Sequence, residues 1–216
     1  MAVNVQIAGI RKEYSKRALS EENVDTDAIR QFARWWDEAM ESQVEEINAM
    51  TLATCSLDAR PSARIVLLKG FSEAGFIFFT NYNSKKGRDL EENPRASLVF
   101  FWKELERQVR IEGIVKKTSE KESDEYFDIR PLQSRISAFS SPQSQVIESR
   151  QYLENIVVEN KNRYADVPVT RPSHWGGYIV KPEIIEFWQG RRNRLHDRLQ
   201  YKTDAEGHWY IERLAP

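Results

Sequence analysis

A chain of 216 residues suits one compact domain with decorations better than two domains, and it is long enough to bury a sizeable core. Its 32 Lys and Arg oppose 33 Asp and Glu, leaving a formal charge of −1 and none of the net attraction that general nucleic-acid or anionic-membrane binders use, so any basic site has to be local. Hydrophobic residues at 40% and charged ones at 30% fit a folded soluble chain, and runs such as Ile65–Leu68 and Leu98–Trp102 fall far short of the roughly 18 apolar residues of a spanning helix.

Residues 1–20 lack a clear period and read as a mobile arm, leaving 21–216 as one domain. Arg11, Lys12, Glu13, Lys16 and Arg17 occur there without an apolar stretch of signal-peptide length, so a cytoplasmic location is expected. From Ile29, the apolar positions Phe32, Ala33, Trp36, Met40, Val44 and Ile47 have helical spacing, with Asp25 or Thr26 placed to cap the first turn. Strand-type runs follow at Met50–Ser56, Ser62–Phe71, Phe76–Thr80, Ala96–Trp102 and Arg107–Lys117, and the short connections imply antiparallel neighbours. Cys55, in the first of these, is the single cysteine, which excludes an intrachain disulfide and suggests a small core residue.

Ser84 can cap a short helix that ends near Asn93, because Pro94 disfavours helical geometry before it. Ser119–Ile129 reads as a helix stopped by Pro131, and Ser141-Pro142 before Gln143 has the form that opens another helix, running to about Tyr164. Val167–Pro172 connects it to the strands Gly177–Val180, Ile184–Gln189, Arg194–Lys202 and His208–Arg213. The pattern predicts a closed antiparallel barrel with helices outside it.

Four local constellations bear on chemistry. Trp188 to Arg198 concentrates Arg191, Arg192, Arg194, His196 and Arg198; if 194–198 is extended, Arg194, His196 and Arg198 share one face. Either an anionic or electron-rich ligand sits over them, or they form a solvated edge that prevents aggregation. Arg64 and Lys69 are placed to serve two anions on opposite faces, to be joined by a bulge, or to be solvated strand ends. Thr80 to Lys86 offers hydroxyls and two lysines at a helix start, a phosphate receptor or an ordinary capped helix. Tyr126 and Arg130 share a helical face, with Ser134 beyond the break at Pro131; the triple suits a phosphate monoester or is surface decoration. His174, His196 and His208 have no metal-ligand spacing and no nucleotide-type glycine fingerprint occurs, which favours an organic cofactor over metal chemistry; His174 and His208 read as structural.

Further motifs run the length of the chain: RIVLLKG from Arg64, NPRA at Asn93–Ala96, LERQV at Leu105–Val109, Gln143-Ser144, IEFWQG at Ile185–Gly190, RLHDR at Arg194–Arg198 and the final ERLAP. Together they resemble the pyridoxine (pyridoxamine) 5′-phosphate oxidase family. The resemblance implies a mainly β fold with α (α+β), an FMN-binding split β-barrel of antiparallel strands with peripheral helices. It also implies a homodimer holding FMN at the subunit interface with residues of both chains, and no metal.

On that resemblance, Arg64, Lys85 and Lys86, with Thr80, Gln143 and Ser144 adding hydrogen bonds, meet the flavin phosphate and ribityl chain, and Phe79 is a further cofactor-binding residue. The flavin ring meets the backbone of Ile65, Val66, Leu67, Leu68 and Lys69, together with Gln108, Trp188 and Arg198. Lys69, Tyr126, Arg130 and Ser134 hold the substrate phosphate, while Arg194, Leu195 and His196 meet the pyridine ring. Arg11, Lys12, Glu13 and Tyr14 belong to an arm that folds over the substrate. The implied reaction oxidises pyridoxine or pyridoxamine 5′-phosphate with O2 to pyridoxal 5′-phosphate. Arg194 orients the ring and stabilises developing charge, and His196 either orients substrate or assists proton movement. The alternative is a split-barrel flavin protein with another substrate or no oxidase activity; the joint presence of Lys69, Tyr126, Arg130, Ser134, Arg194 and His196 argues against it. Arg191-Arg192-Asn193 is richer in arginine than the linkers associated with the family, which bears on loop shape and substrate preference.

Overall fold

Alternating burial along β1 (Ala49–Cys55), with Met50, Leu52 and Thr54 inside, marks the strand that anchors the sheet. A computed structural model of the chain describes Glu13, Tyr14 and Lys16–Pro216; Arg11 and Lys12, expected in the arm, lie outside the described residues. The sheet has nine strands in the hydrogen-bonded order β2-β1-β5-β6-β7-β4-β3, with β8 on β7 and β9 on β8. Among the described residues that hydrogen-bonded path ends at β2 and β3 without joining them, so this pairing does not form the fully closed barrel that the strand pattern suggests.

Contacts divide the chain into two units interleaved in sequence, a central one (48–98 and 112–182) and a terminal one (up to 47, 99–111 and 183–216). In the central unit, β1 pairs antiparallel with β2 (Pro61–Leu67) from Ala49↔Leu67 to Cys55↔Pro61. β3 (Gly70–Ser72) and β4 (Gly75–Asn81) form a hairpin, and β4 pairs with the first half of β7 (Trp175–Gln189) from Phe76↔Val180 to Asn81↔Trp175. Helix α2 (Lys85–Glu92) is capped by Ser84, whose side chain accepts from Gly87 N–H, and ends at Asn93, as the sequence predicts. β5 (Arg95–Trp102) and β6 (Arg107–Lys117) each run from one unit into the other. Helix α3 (Glu120–Asp128) has a full capping box between Ser119 and Glu122. Two further helices, α4 (Leu132–Ser140) and α5 (Arg150–Arg163), complete this unit.

In the terminal unit, α1 (Ala28–Glu41) is capped by Asp27, which accepts from Ile29 and Arg30 N–H at 2.8 and 2.9 Å. It buries Ile29, Phe32, Trp35 and Ala39; Trp35 meets Phe187 edge-on at 5.1 Å and Phe32 lies 5.3 Å from Phe100. The second half of β7 pairs with β8 (Asp197–Thr203), which pairs with β9 (Trp209–Arg213).

Several sequence expectations shift. The cap of α1 is Asp27, not Asp25 or Thr26, and its buried stripe runs through Trp35 and Ala39, leaving Met40 58% exposed; Val44 and Ile47 are buried after the helix has ended. Ser62–Phe71 is two strands interrupted at Leu68 and Lys69, whereas Gly177–Val180 and Ile184–Gln189 belong to one. Residues 141–149 are not helical: Ser144 takes a φ of 70°, and Ser149 caps α5 instead. α4 was not expected, since Pro131 ends one helix yet supplies the residue before the next. Cys55 is half-buried at a strand end rather than in the core. Among the described residues no helix is long and apolar enough to cross a membrane.

Candidate active site

The central unit contains a cavity of about 930 Å³ into which β2, the β2–β3 link, the end of β4, the start of α2, the α3–α4 corner and the turn after α4 all project. Among the described residues five cations line it, Arg64, Lys69, Lys85, Lys86 and Arg130, and no Asp or Glu does. Such a wall is an anion receptor.

Arg64 is held on β2 by its neighbours. Its guanidinium donates to Leu52 O at 3.2 Å, Thr54 Oγ1 at 2.8 Å and Ser62 Oγ at 2.7 Å. Asp89 stands 4.0 Å behind it, accepts from Thr54 Oγ1 at 2.7 Å and pairs with Lys85 at 3.0 Å. Burial would raise the Asp89 pKa, yet the hydrogen bonds from Thr54 and Lys85 and the charges of Lys85 and Arg64 hold it below the ordinary carboxylate value. Burial lowers the Arg64 pKa, with Asp89 opposing.

Lys86 is buried, and among the described residues its ammonium donates only to neutral oxygens: Thr80 Oγ1 at 3.1 Å, Ser84 Oγ at 3.0 Å and Gln143 Oε1 at 3.1 Å. Burial, reinforced by the Arg64 charge, brings its pKa down to about 8. The close seating of α2 depends on Gly87, where a Cβ would lie 1.9 Å from Tyr82 O.

At the α3–α4 corner, Tyr126 stacks on Phe79 with centroids 4.0 Å apart, and the Arg130 guanidinium lies 4.4 Å from the Trp175 ring centre. Arg130 Nη1 is buried without a hydrogen-bond partner, and burial lowers the pKa of this arginine. Ser134 lines the same cavity, its N–H donating to Pro131 O at 2.8 Å. The helix break therefore does not separate the triple; it turns Arg130 and Ser134 onto one wall. Arg64 and Lys69 likewise share the cavity because β2 ends at Leu67 before Lys69 is reached.

Ile65, Val66, Leu67, Phe79, Thr80, Lys85, Gln143 and Ser144 also line this cavity. Leu68 does not: it is 4% exposed and its N–H donates to Asn48 O at 2.8 Å. The remaining expected residues belong to the terminal unit. Glu13 is exposed, and Gln108 lies on β6. Leu195 is exposed and lines a second cavity of about 560 Å³ with Tyr14, Lys16, Arg17, Ala18, Arg191 and Arg192.

Trp188 and His196, which do not line that cavity, have ring centroids 4.6 Å apart, and Tyr14 meets both edge-on at 5.8 and 6.0 Å. Gly190 makes room for this arm residue, since a Cβ there would lie 2.7 Å from Tyr14 Cγ and 2.8 Å from its Cβ. The platform is rigidly tied: Gly190 N–H donates to Glu106 O at 2.8 Å, and buried Gln189 donates to Leu105 O and Glu106 O, both at 3.2 Å. Arg198 forms a bidentate pair with buried Glu186 at 2.8 and 3.0 Å and donates to Ala215 O at 2.8 Å; the hydrogen bonds to Glu186 raise its pKa. Arg194 does not share a strand face with His196 and Arg198. Residues 192–194 form a 3-10 turn, Asn193 and Arg194 have φ of 55° and 61°, and β8 begins only at Asp197.

Three supporting residues are absent from the sequence expectations. Asp89 and Glu186 hold Arg64 and Arg198, and Trp175 carries Arg130. Asp89 follows Lys85 at helical i,i+4 spacing, a usable signal, whereas nothing local ties Glu186 to Arg198 or Trp175 to Arg130.

A family model described as "Pyridoxamine 5′-phosphate oxidase" matches residues 36–161, and one described as "Pyridoxine 5′-phosphate oxidase C-terminal dimerisation region" matches 175–216. The chain belongs to the pyridoxamine 5′-phosphate oxidase family. Within the family it is 56% identical over 210 residues to the pyridoxine/pyridoxamine 5′-phosphate oxidase of Trichormus variabilis, covering 97% of this chain and 98% of that one. It is 55% identical to the Bordetella pertussis protein of the same name over 212 residues, covering 98% and 100%. Among solved structures it is similar to PhzG from Burkholderia lata in complex with tetrahydrophenazine-1-carboxylic acid, with a TM-score of 0.88 and 29% identity over 95% of this chain and all of that one. The family's antiparallel split-barrel fold with peripheral helices is thus the fold of this chain. A pyridoxamine 5′-phosphate oxidase-related, FMN-binding protein from Nostoc punctiforme shares the fold at a TM-score of 0.69 and 16% identity.

Proposed function

We propose that this chain is an FMN-dependent oxidase that converts pyridoxine 5′-phosphate or pyridoxamine 5′-phosphate to pyridoxal 5′-phosphate, acting in the cytoplasm as a homodimer with FMN at the subunit interface. In this reading residues 21–216 form one functional body and 1–20 an arm over the substrate. The observation that carries it is one cavity holding two sets of phosphate-directed groups, Arg64 with Lys85 and Lys86, and Lys69 with Tyr126, Arg130 and Ser134.

The residues fit a phosphorylated cofactor. Lys86 is a buried cation with three neutral acceptors, and phosphate oxygens beside it would supply the negative charge that its burial lacks. Arg64, preset by Thr54 and Ser62, would take the same phosphate, and Gln143 and Ser144 would take hydroxyls of the chain leading to the ring. FMN, when bound, supplies a hydride acceptor whose electrons pass to O2, giving hydrogen peroxide.

The protein's part is placement and charge. The buried, unpartnered Nη1 of Arg130 is a ready donor for the substrate phosphate, with Lys69 adding charge and Ser134 a hydroxyl. Arg194 is proposed to orient the pyridine ring and stabilise charge developing on it, with His196, Leu195 and the Tyr14 arm closing over the substrate. Gln108, Trp188 and Arg198 are proposed to meet the flavin ring.

The test is an aerobic assay with FMN and each phosphorylated vitamer, reading pyridoxal 5′-phosphate and peroxide together, and ammonia from the amine. Matched formation of the aldehyde and peroxide is expected. Protein that retains flavin but makes neither product would place the chain among split-barrel flavin proteins with another substrate.

A further inference from the structure

We propose that the backbone amide of Arg191 fixes His196 as an Nε2–H hydrogen-bond donor, so that this imidazole positions substrate rather than removing its proton. The proposal rests on the reading that His196 meets the substrate, and it decides between the two roles that the sequence leaves open.

Arg191 N–H donates to His196 Nδ1 at 3.1 Å. A peptide N–H can only donate, so Nδ1 must keep its lone pair, and a neutral imidazole so held carries its proton on Nε2. For Nε2 to act as a base, the proton would have to move to Nδ1 and confront the Arg191 N–H, donor against donor. Among the described residues, Nε2 has no protein partner, which leaves its N–H available to a ligand oxygen.

The turn that builds this contact is specific. Five residues of extended strand would carry His196 about 17 Å beyond Arg191. Instead, Asn193 and Arg194 take left-handed conformations, Leu195 N–H closes onto Arg192 O at 3.2 Å, and the chain returns His196 to the Arg191 amide. Arg191 is itself pinned through its guanidinium to Asp197 at 3.3 Å, and the imidazole packs against the Trp188 ring and meets Tyr14 edge-on, the three rings forming a triangle. Burial and the Arg194 charge lower the His196 pKa, Asp197 opposing, which keeps the ring in its neutral, single-donor form.

The test uses FMN-loaded protein with 15N-labelled histidine and a long-range 1H–15N correlation, His196 being identified by its loss in His196→Gln. A bare Nδ1 and a protonated Nε2 are expected. In parallel, kcat is compared for His196→Gln, whose amide nitrogen reaches the Nε2 position and can still donate, and for His196→Asn and His196→Ala. Glutamine is expected to keep kcat within about tenfold of wild type with Asn and Ala both lower, whereas loss of a general base costs about a hundredfold or more. A protonated Nδ1 in active protein, or a glutamine variant as impaired as alanine, overturns the donor role alone. Wild-type protein that shows the Nε2–H form yet makes no pyridoxal 5′-phosphate overturns the reading of the site, and the role with it.

Discussion

Lys86 donates to Gln143 Oε1 at 3.1 Å, tying the start of α2 to a turn 57 residues further along the chain. On the proposed role of Lys86 at the cofactor phosphate, a cation at the heart of this tie, with its pKa brought from 10.5 to about 8, should make cofactor retention sensitive to pH. The charged form predominates below about 8, so FMN affinity should fall as pH rises past that value. A bound phosphate favours the ammonium and raises this pKa in the complex, so the fall begins near the apo value of about 8 and levels off above the higher pKa of the complex. Flavin fluorescence titrations from neutral to alkaline pH should show this slope, and Lys86→Met should flatten it. Apo-protein stability runs the opposite way. The unfolded chain holds the extra proton between about 8 and 10.5, so this group's contribution to stability increases through that window.

Arg64→Ala should weaken FMN binding about tenfold to a hundredfold, the worth of a charge-assisted phosphate contact, and excess FMN should restore turnover. Arg194→Ala should instead lower turnover with flavin retained, as should His196→Ala. Flavin content and kcat measured side by side decide; equal flavin loss in all three variants would refute the division of roles.

Arg130→Ala should raise KM for the phosphorylated substrates about tenfold or more while leaving FMN affinity unchanged, since its buried Nη1 has no other partner. Arg130→Lys should not rescue it, because the planar group resting on Trp175 is what aims the donor. Steady-state kinetics with a substrate lacking the phosphate serve as control: that substrate should be indifferent to the change.

Gly190→Ala should act through the arm. Its methyl group would collide with the Cβ and Cγ of Tyr14, so substrate KM should rise with FMN retention intact. Combined with Tyr14→Ala, the second change should add little, and a double-mutant cycle reads that coupling directly. Additive effects would mean that glycine is needed there for another reason.

The strands were largely legible because one buried face imposes a period of two, and Arg107–Lys117 lies where that pattern puts it. α1 was found with its inward stripe one residue out, since Trp35 and Trp36 are equally apolar and only tertiary packing on Phe187 distinguishes them. The failure at Arg194–Arg198 had another origin. A run rich in arginine looks extended, but two left-handed residues curl it; Asn193 is a residue type that adopts this conformation readily, whereas Arg194 gives no such warning. The cavity-lining cations were visible as residue types, and motif resemblance joined Lys69 to Tyr126 and Arg130. Among the supporting residues, Asp89 left a signal in its i,i+4 spacing from Lys85, whereas Glu186 and Trp175 act on Arg198 and Arg130, to which nothing local ties them.

The interleaving of the two units has a consequence for biosynthesis. Helix α1 leaves the ribosome early, yet Trp35 packs on Phe187, which is made near the end of translation. Until then Trp35 has no cover from Phe187, and a nascent chain in that condition is prone to stick to others. Overproduction should therefore benefit from slower synthesis or added chaperone, and no single cut of the polypeptide releases either half as a self-sufficient fragment.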